Sequence, residues 1–351
     1  MEKGYYIITL TYQKNGTSKK PGKDSSNDCM ASIDIPLVSL CMPVYNSADY
    51  IIETINCLIK QSYKNIELIV VNDGSTDNSL EILNSFAYND KIKIIDKPNT
   101  GAADTRNVAF QASSGNYVIF FDADDLVPEN FIESQFSKIN NEKDVVVVAK
   151  WGRFYHGDLS TYKTAPENVN QDMTFTQWIN AYWRYNKHTT PPGRVLLSRE
   201  IVNKAGLWNT KLTLNDDFDF FVRAFSKAKV IRFNSDTTFY YRSGNPSLSG
   251  LKSEKAAQSS LTSILSGIVI ARENTGMGED IKRSCANMLQ AFVYEFYPHY
   301  PSLVYQAEEE ISNLGGSDFK IQGGKMLKFL SFLVGWKTAK KIQNKFNAFR
   351  K

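Results

Sequence analysis

From Pro36 onward, short apolar runs alternate with segments whose apolar residues recur at helical spacing. The runs are LVSLCMPVY (37–45), IELIVV (66–71), KIKII (91–95), YVIFF (117–121) and VVVVA (145–149). Most are apolar almost throughout, the pattern of strands buried on both faces of a parallel sheet. The segment from about Ala48 carries Ile51, Ile52, Ile55, Leu58 and Ile59 on one helical face, with Asn46 or Ser47 as its predicted N-cap. Further helices are predicted from about Asn78, through Asn107 and Gln111, and after Pro128. Strands and helices in alternation predict an α/β domain with a mostly parallel sheet flanked by helices.

After residue 149 the rhythm loosens. A helix is predicted over 175–185, a strand at VLLS (195–198), a helix from about 214 to 227, and two strands at VIRF (230–233) and TTFYYR (237–242). Beyond Ser253 the pattern is helical throughout: 254–274, 280–297, 301–313 and a last helix from about Gly324. Ahead of all this, residues 14–35 are rich in Lys, Ser, Gly, Asn and Asp, with a short strand predicted at 5–11 before them. Three regions follow: a flexible leader over 1–35, an α/β domain over 36–250 and a helical region over 251–351.

Composition narrows the classes. The 351 residues are 42% apolar and 22% charged, which excludes wholesale disorder and coiled coil. The first residues lack a basic start, a long apolar stretch and a small-residue cleavage site, so secretion is not expected. Four cysteines (Cys29, Cys41, Cys57, Cys285) have no CxxC pairing and are expected as reduced thiols. The net charge of +4 conceals an asymmetry: nine basic and no acidic residues follow Phe319, leaving 32 basic against 37 acidic, a net −5, in the remainder. An acidic body with a basic tail does not fit a nucleic-acid-binding protein.

Candidate chemistry sits at the strand ends. The first ends in PVYN (43–46), the second in NDGSTD (72–77), the third leads into KPNTGAADTRN (97–107), and the fourth ends in DADD (122–125). Ligands of open α/β sheets collect at this rim. Each motif has a plainer reading. NDGSTD makes a turn with a helix cap, and DADD makes a solvated loop, although its three carboxylates repel unless a cation or donor lies among them. Four polar motifs in order at the same end of successive strands favour a site.

Together PVYN, VNDGSTD, NTGAADTRN and FFDADD resemble family 2 of the glycosyltransferases, which has the GT-A fold. GLWNTKLTLNDDFDFFVR (206–223) is similar to that family's stretch around its catalytic acidic pair, and YYR (240–242) to a strand near its end. The resemblance covers about 208 residues, from Pro36 to Ser243. This chain has Asp216–Asp217 where the family often has Glu then Asp, and Asp104 where a small residue is common. The resemblance implies that Pro43, Val44 and Tyr45 line a base and ribose pocket and that Asp73 accepts a hydrogen bond from the base. It implies Asp122 near the ribose and metal, Asp124 holding a divalent cation on the diphosphate, and Arg106 supporting the carboxylates. Mg²⁺ or Mn²⁺ suits hard oxygen donors better than zinc. Asp217 is the implied general base; helix-capping by Asp216 and Asp217 is an equal reading of the residues alone. Asp219 is a weaker spare, and His156, His188 and His299 are too scattered for a metal site.

The implied activity is inverting transfer from a nucleotide-sugar, UDP-linked by first expectation, to a saccharide or lipid-linked acceptor in surface-glycan synthesis. A non-catalytic sugar-nucleotide-binding or scaffold protein is the alternative. A nucleotidyltransferase would carry a Gly-rich, Arg/Lys-bearing loop where PVYNSADY stands, and a processive synthase a QxxRW sequence, which is absent. The tail from Gly324 reads as one basic amphipathic helix, whose apolar run of about 11 residues is too short to span a bilayer. Either it lies on an anionic leaflet or it packs its apolar face on the body. The expected location is cytoplasmic, with peripheral attachment to the inner membrane face if the first holds.

Overall fold

Strand β1 (Val38–Val44), helix α1 (Ile51–Ile59), β2 (Ile66–Asp73), α2 (Ser79–Asn84), β3 (Ile92–Lys97), α3 (Ala102–Gln111), β4 (Tyr117–Phe120) and α4 (Phe131–Ser137) alternate through the first half of the computed structural model. Next come β5 (Val145–Tyr155), β6 (Asp158–Thr164), α5 (Phe175–Tyr182), β7 (Val195–Ser198), α6 (Arg199–Ala205), α7 (Asp216–Phe225) and β8 (Val230–Ser243). Five helices follow: α8 (Glu254–Asn274), α9 (Glu279–Phe296), α10 (Pro301–Asn313), α11 (Lys325–Val334) and α12 (Trp336–Phe349). The structure describes residues 35–140, 142–166, 170–187, 190–244 and 253–349. The predicted leader (apart from Ile35), the strand at 5–11, Cys29 and His188 lie outside these residues.

The sheet order is β3-β2-β1-β4-β7-β5-β6, with β8 on β5. Pairs β1–β2, β1–β4, β2–β3 and β5–β8 are parallel, while β7 is antiparallel to both β4 and β5. Alternate residues of one strand serve opposite faces. Cys41, Ile69, Val71, Val118 and Phe120 enter one apolar cluster, and Leu40, Met42, Leu68, Val70 and Ile119 the other. Burial on both faces is why these strands are apolar throughout, and it confines polar residues to their ends. The first cluster also takes in Phe218 and Phe221 of α7, Leu261 and Ile264 of α8, Leu289 and Phe292 of α9, and Leu303 and Val304 of α10, so α8, α9 and α10 share a core with the sheet, while Leu327 of α11 and Ala339 of α12 form a small cluster of their own with Ile321.

Local expectations need correction at several points. The predicted caps Asn46 and Ser47 do not cap α1, which begins at Ile51 without a side-chain cap; Asn46 bonds across to the β2–α2 loop instead. VIRF and TTFYYR form one strand, because β8 keeps its pairing with β5 across a register shift at Ala149/Lys150. Strand β6 was not anticipated; it returns from β5 through His156 and Gly157, both at positive φ (56° and 70°), the geometry of a tight hairpin turn. The tail is two helices, divided at Gly335, whose φ of 75° a helix cannot continue through. Among the described residues Cys41, Cys57 and Cys285 are free thiols.

Candidate functional site

Strand order reverses between β1 and β4, and the loops leaving the carboxyl ends of β1, β2 and β4 open onto a cavity of about 600 Å³. Pro43, Val44, Tyr45, Asp73, Arg106, Asp122 and Asp124, each predicted as a site residue, all line it. Tyr45 leaves the sheet half exposed, a ring available for stacking.

The loops are braced against one another. Asn46 Oδ1 accepts from the Thr76 N–H (2.8 Å), Ser75 Oγ accepts from the Asn46 N–H (3.0 Å), and Asp77 accepts from the Ala48 N–H (3.0 Å). Asp73 reaches the third loop, accepting from the N–H groups of Thr100 and Gly101 (both 2.9 Å) and from Lys97 Nζ (2.5 Å). Gly74 makes this approach feasible. A Cβ there would lie 2.8 Å from the Asn99 nitrogen, and its φ is +64°. NDGSTD is thus more than a turn: it fixes the spacing of three loops around the cavity.

Arg106, on α3, joins the two groups of carboxylates. Its guanidinium donates to Asp122 (2.8 Å) and to Asp216 (3.1 Å), and it stacks 4.5 Å above the Trp208 ring. Asp122 and the acidic pair, 94 or more residues apart in sequence, become neighbours through one side chain. Burial, with the nearby Asp122 charge adding to it, pushes the Asp124 carboxyl up to about 6. Burial and then the adjacent Asp216 push Asp217 up to about 7, with the Phe218 N–H and Arg106 opposing the rise. Asp217 does not line the cavity; it stands beside it in the first turn of α7 and keeps part of its surface exposed. The N-cap of α7 is Asn215, in the left-handed region (φ 60°), whose side chain makes no cap bond, while Asp217 Oδ1 accepts from the Phe218 N–H (2.7 Å). Neither Asp216 nor Asp217 is the N-cap, although Asp217 satisfies one first-turn N–H.

The other acidic candidates separate from these. Asp125 points inward, 1% exposed, and accepts from the Arg242 N–H (2.8 Å), so the three carboxylates of DADD do not share one rim. Asp219 is buried in a structural pair with Arg223 (2.8 Å) and Ser266 (3.1 Å). Among the described residues, no group of three or more His, Cys, Asp or Glu side chains could hold a metal alone. Asp122 and Asp124 offer hard oxygen donors, and a cation beside them would offset the Asp122 charge that adds to the burial raising Asp124. Such a pair suits Mg²⁺ or Mn²⁺ that completes its shell with phosphate oxygens and water.

Two cationic residues lining the cavity escaped the sequence reading. Arg242 on β8 donates from Nε to the Asp124 carbonyl (2.6 Å) and from Nη2 to Glu53 (2.6 Å), holding the DADD turn. Arg153 on β5 donates to Ser243 Oγ (2.8 Å) and lies 4.8 Å over the Tyr241 ring. YYR was singled out as a strand, but nothing local marked Arg242 as a cavity residue, and Arg153 carried no signal.

Comparison with known proteins points one way. The family model described as glycosyl transferase family 2 matches residues 39–206. The glycosyltransferase GlyG of Streptococcus pneumoniae is 32% identical over 217 residues, covering 59% of this chain and 70% of that protein. An uncharacterized glycosyltransferase of Haemophilus influenzae is 30% identical over 227 residues, covering 64% and 86%. Among solved structures, S. aureus TarS 1–349 in complex with UDP-GlcNAc has a TM-score of 0.59 at 16% identity, covering 89% of this chain and 92% of that one.

Proposed function

This chain belongs to glycosyltransferase family 2, and on that premise we propose that it transfers a sugar, with inversion, from a nucleoside-diphosphate donor bound in the β1/β2/β4 cavity to an acceptor hydroxyl. The observation that carries this reading is Arg106, which couples the donor-side carboxylate Asp122 to the acidic pair containing Asp217. UDP-sugars are the first donors to test, since TarS, which shares the fold, was crystallised with UDP-GlcNAc.

In this reading Pro43, Val44 and Tyr45 take the base and ribose, with Asp73 at the pocket floor. Asp122 and Asp124 would hold Mg²⁺ or Mn²⁺, which when bound neutralises charge developing on the departing diphosphate. Asp217, pushed up to about 7, accepts the acceptor hydroxyl's proton near neutral pH. The acceptor oxygen bonds to the anomeric carbon as the bond from that carbon to the diphosphate oxygen breaks. Its electron pair leaves with the nucleoside diphosphate. One displacement without an enzyme nucleophile inverts the anomeric centre. Arg106 keeps Asp216 and Asp122 from adding their full charge to the Asp217 site.

The acceptor in this reading is a saccharide or a lipid-linked glycan of a surface polysaccharide. The test is a panel of nucleotide sugars assayed for nucleotide release with Mg²⁺, with Mn²⁺ and with chelator. Metal-dependent release from one donor supports catalysis; tight binding without turnover, with candidate acceptors present, supports the scaffold alternative.

A further inference from the structure

Helix α11 presents a large apolar face that the fold leaves uncovered. Its inner side is held by Leu327, buried with Ile321 and with Ala339 of α12, while α12 itself is anchored by Trp336 on Tyr294 and Tyr297 (4.8 and 5.2 Å) and by Lys337 paired with Glu308 (2.7 Å) on α10. Its outer side carries Met326 (72% exposed), Phe329 (62%), Phe332 (86%) and Leu333 (58%). At about 100° per residue these four span a continuous arc of roughly 120°, with Lys325 within it and Lys328 on its flank. Packing on the body, one of the two readings open from the sequence, thus accounts for the Leu327 side only.

We propose that this face of α11 docks on an anionic lipid surface. Scattered exposed apolar residues are ordinary, but four large ones on one face of a ten-residue helix mark an interaction site. Charge selects the partner: from Phe319 to the end the chain has nine basic residues and no acidic one, within a protein otherwise at −5. A second copy presenting the same lysine-bearing face would meet like charge. Anionic headgroups complement it, and lysine stems lie along the apolar surface while their ammonium groups reach the phosphates. Beside the face, a cavity of about 560 Å³ is lined by Lys320, Gln322 and Lys328, donors suited to a headgroup. Asp318, the acid lining it, is already paired with Arg184 (2.6 Å) and Asn287 (2.8 Å). No helix among the described residues is long and apolar enough to cross a membrane, so docking here is in-plane. It does not depend on the donor chemistry.

The experiment is sedimentation of the full chain with phosphatidylglycerol-containing vesicles and with pure phosphatidylcholine vesicles. Phe329→Ser/Phe332→Ser changes two exposed side chains and should fold normally, checked by circular dichroism; vesicle partitioning should fall at least tenfold. Lys325→Gln/Lys328→Gln should reduce the preference for anionic vesicles by about fivefold per lysine, from the usual cost of one juxtamembrane charge. Wild-type protein that ignores both vesicle types, or binds them equally at all salt concentrations, overturns the proposal. So does a concentration-dependent dimer, seen by analytical ultracentrifugation, that the phenylalanine variant dissociates while vesicle binding is unchanged.

Discussion

Replacing Arg106 with Gln removes a guanidinium that lies between Asp122 and Asp216 at 2.8 and 3.1 Å and over Trp208 at 4.5 Å. Deleting one partner of a fully buried ion pair costs about 3–5 kcal/mol. Here the Arg106 side chain is 9% exposed but its partners are 25% and 23% exposed, so water can recover part of their solvation. Discounting for that screening and adding the lost ring contact gives about 2 kcal/mol at about pH 8. The pH dependence has a definite sign. A carboxyl raised above its ordinary 3.8, as Asp217 is to about 7, favours the fold at low pH and loses that contribution as pH rises through the folded value. Arg106 opposes the rise, so its removal lifts Asp217 further and the destabilisation is larger at about pH 8 than at about pH 5, where Asp217 keeps its proton in both proteins. Urea denaturation at both pH values, followed by tryptophan fluorescence, measures the difference. Equal loss at the two pH values, or a loss below about 0.5 kcal/mol at the higher one, refutes the bridging role.

Three further outcomes follow. Asp124→Asn should abolish metal-dependent donor turnover yet stabilise the fold above about pH 6, by about 1 kcal/mol after discounting for exposure, because a carboxyl held near 6 opposes folding once ionised; an urea midpoint no higher than wild type contradicts this. Gly74→Ala puts a Cβ 2.8 Å from the Asn99 nitrogen at φ +64°, and should cost about 2 kcal/mol and weaken donor binding by displacing the 98–101 loop; calorimetry and nucleotide titration test both effects. Chelator should suppress nucleotide release from the preferred donor and added Mn²⁺ restore it; undiminished release in chelator would remove the metal from the account.

The sheet was legible because burial on both faces leaves a strong signature: apolar runs such as IELIVV, with polarity deferred to the strand ends. The same confinement made PVYN, NDGSTD and DADD stand out, and the structure gathers them at one cavity. What was not legible depends on long-range register. Arg153 and Arg242 reach the cavity because β5 and β8 pair in parallel, with Arg153 opposite Tyr241 and Phe154 opposite Arg242, and no local pattern encodes that alignment. Neighbouring acids also diverge in ways spacing does not specify. Asp124 faces the cavity while Asp125 turns into the protein, and Asp217 stands by the site while Asp219, two residues on, is committed to Arg223. The exposed face of α11 depends on how little of the helix is covered where Leu327 is buried with Ile321 and Ala339.

The role of Asp217 is tested most directly by Asp217→Asn, measured for nucleotide affinity by calorimetry and for transfer across pH on the same preparation. Wild-type transfer should rise with pH through about 7, as Asp217 loses its proton. The variant should bind nucleotide within about threefold of wild type while transfer falls by about a hundredfold or more, the scale of a lost general base. A variant that keeps more than about a tenth of the transfer rate, or that loses binding and transfer together, would contradict Asp217 as the base.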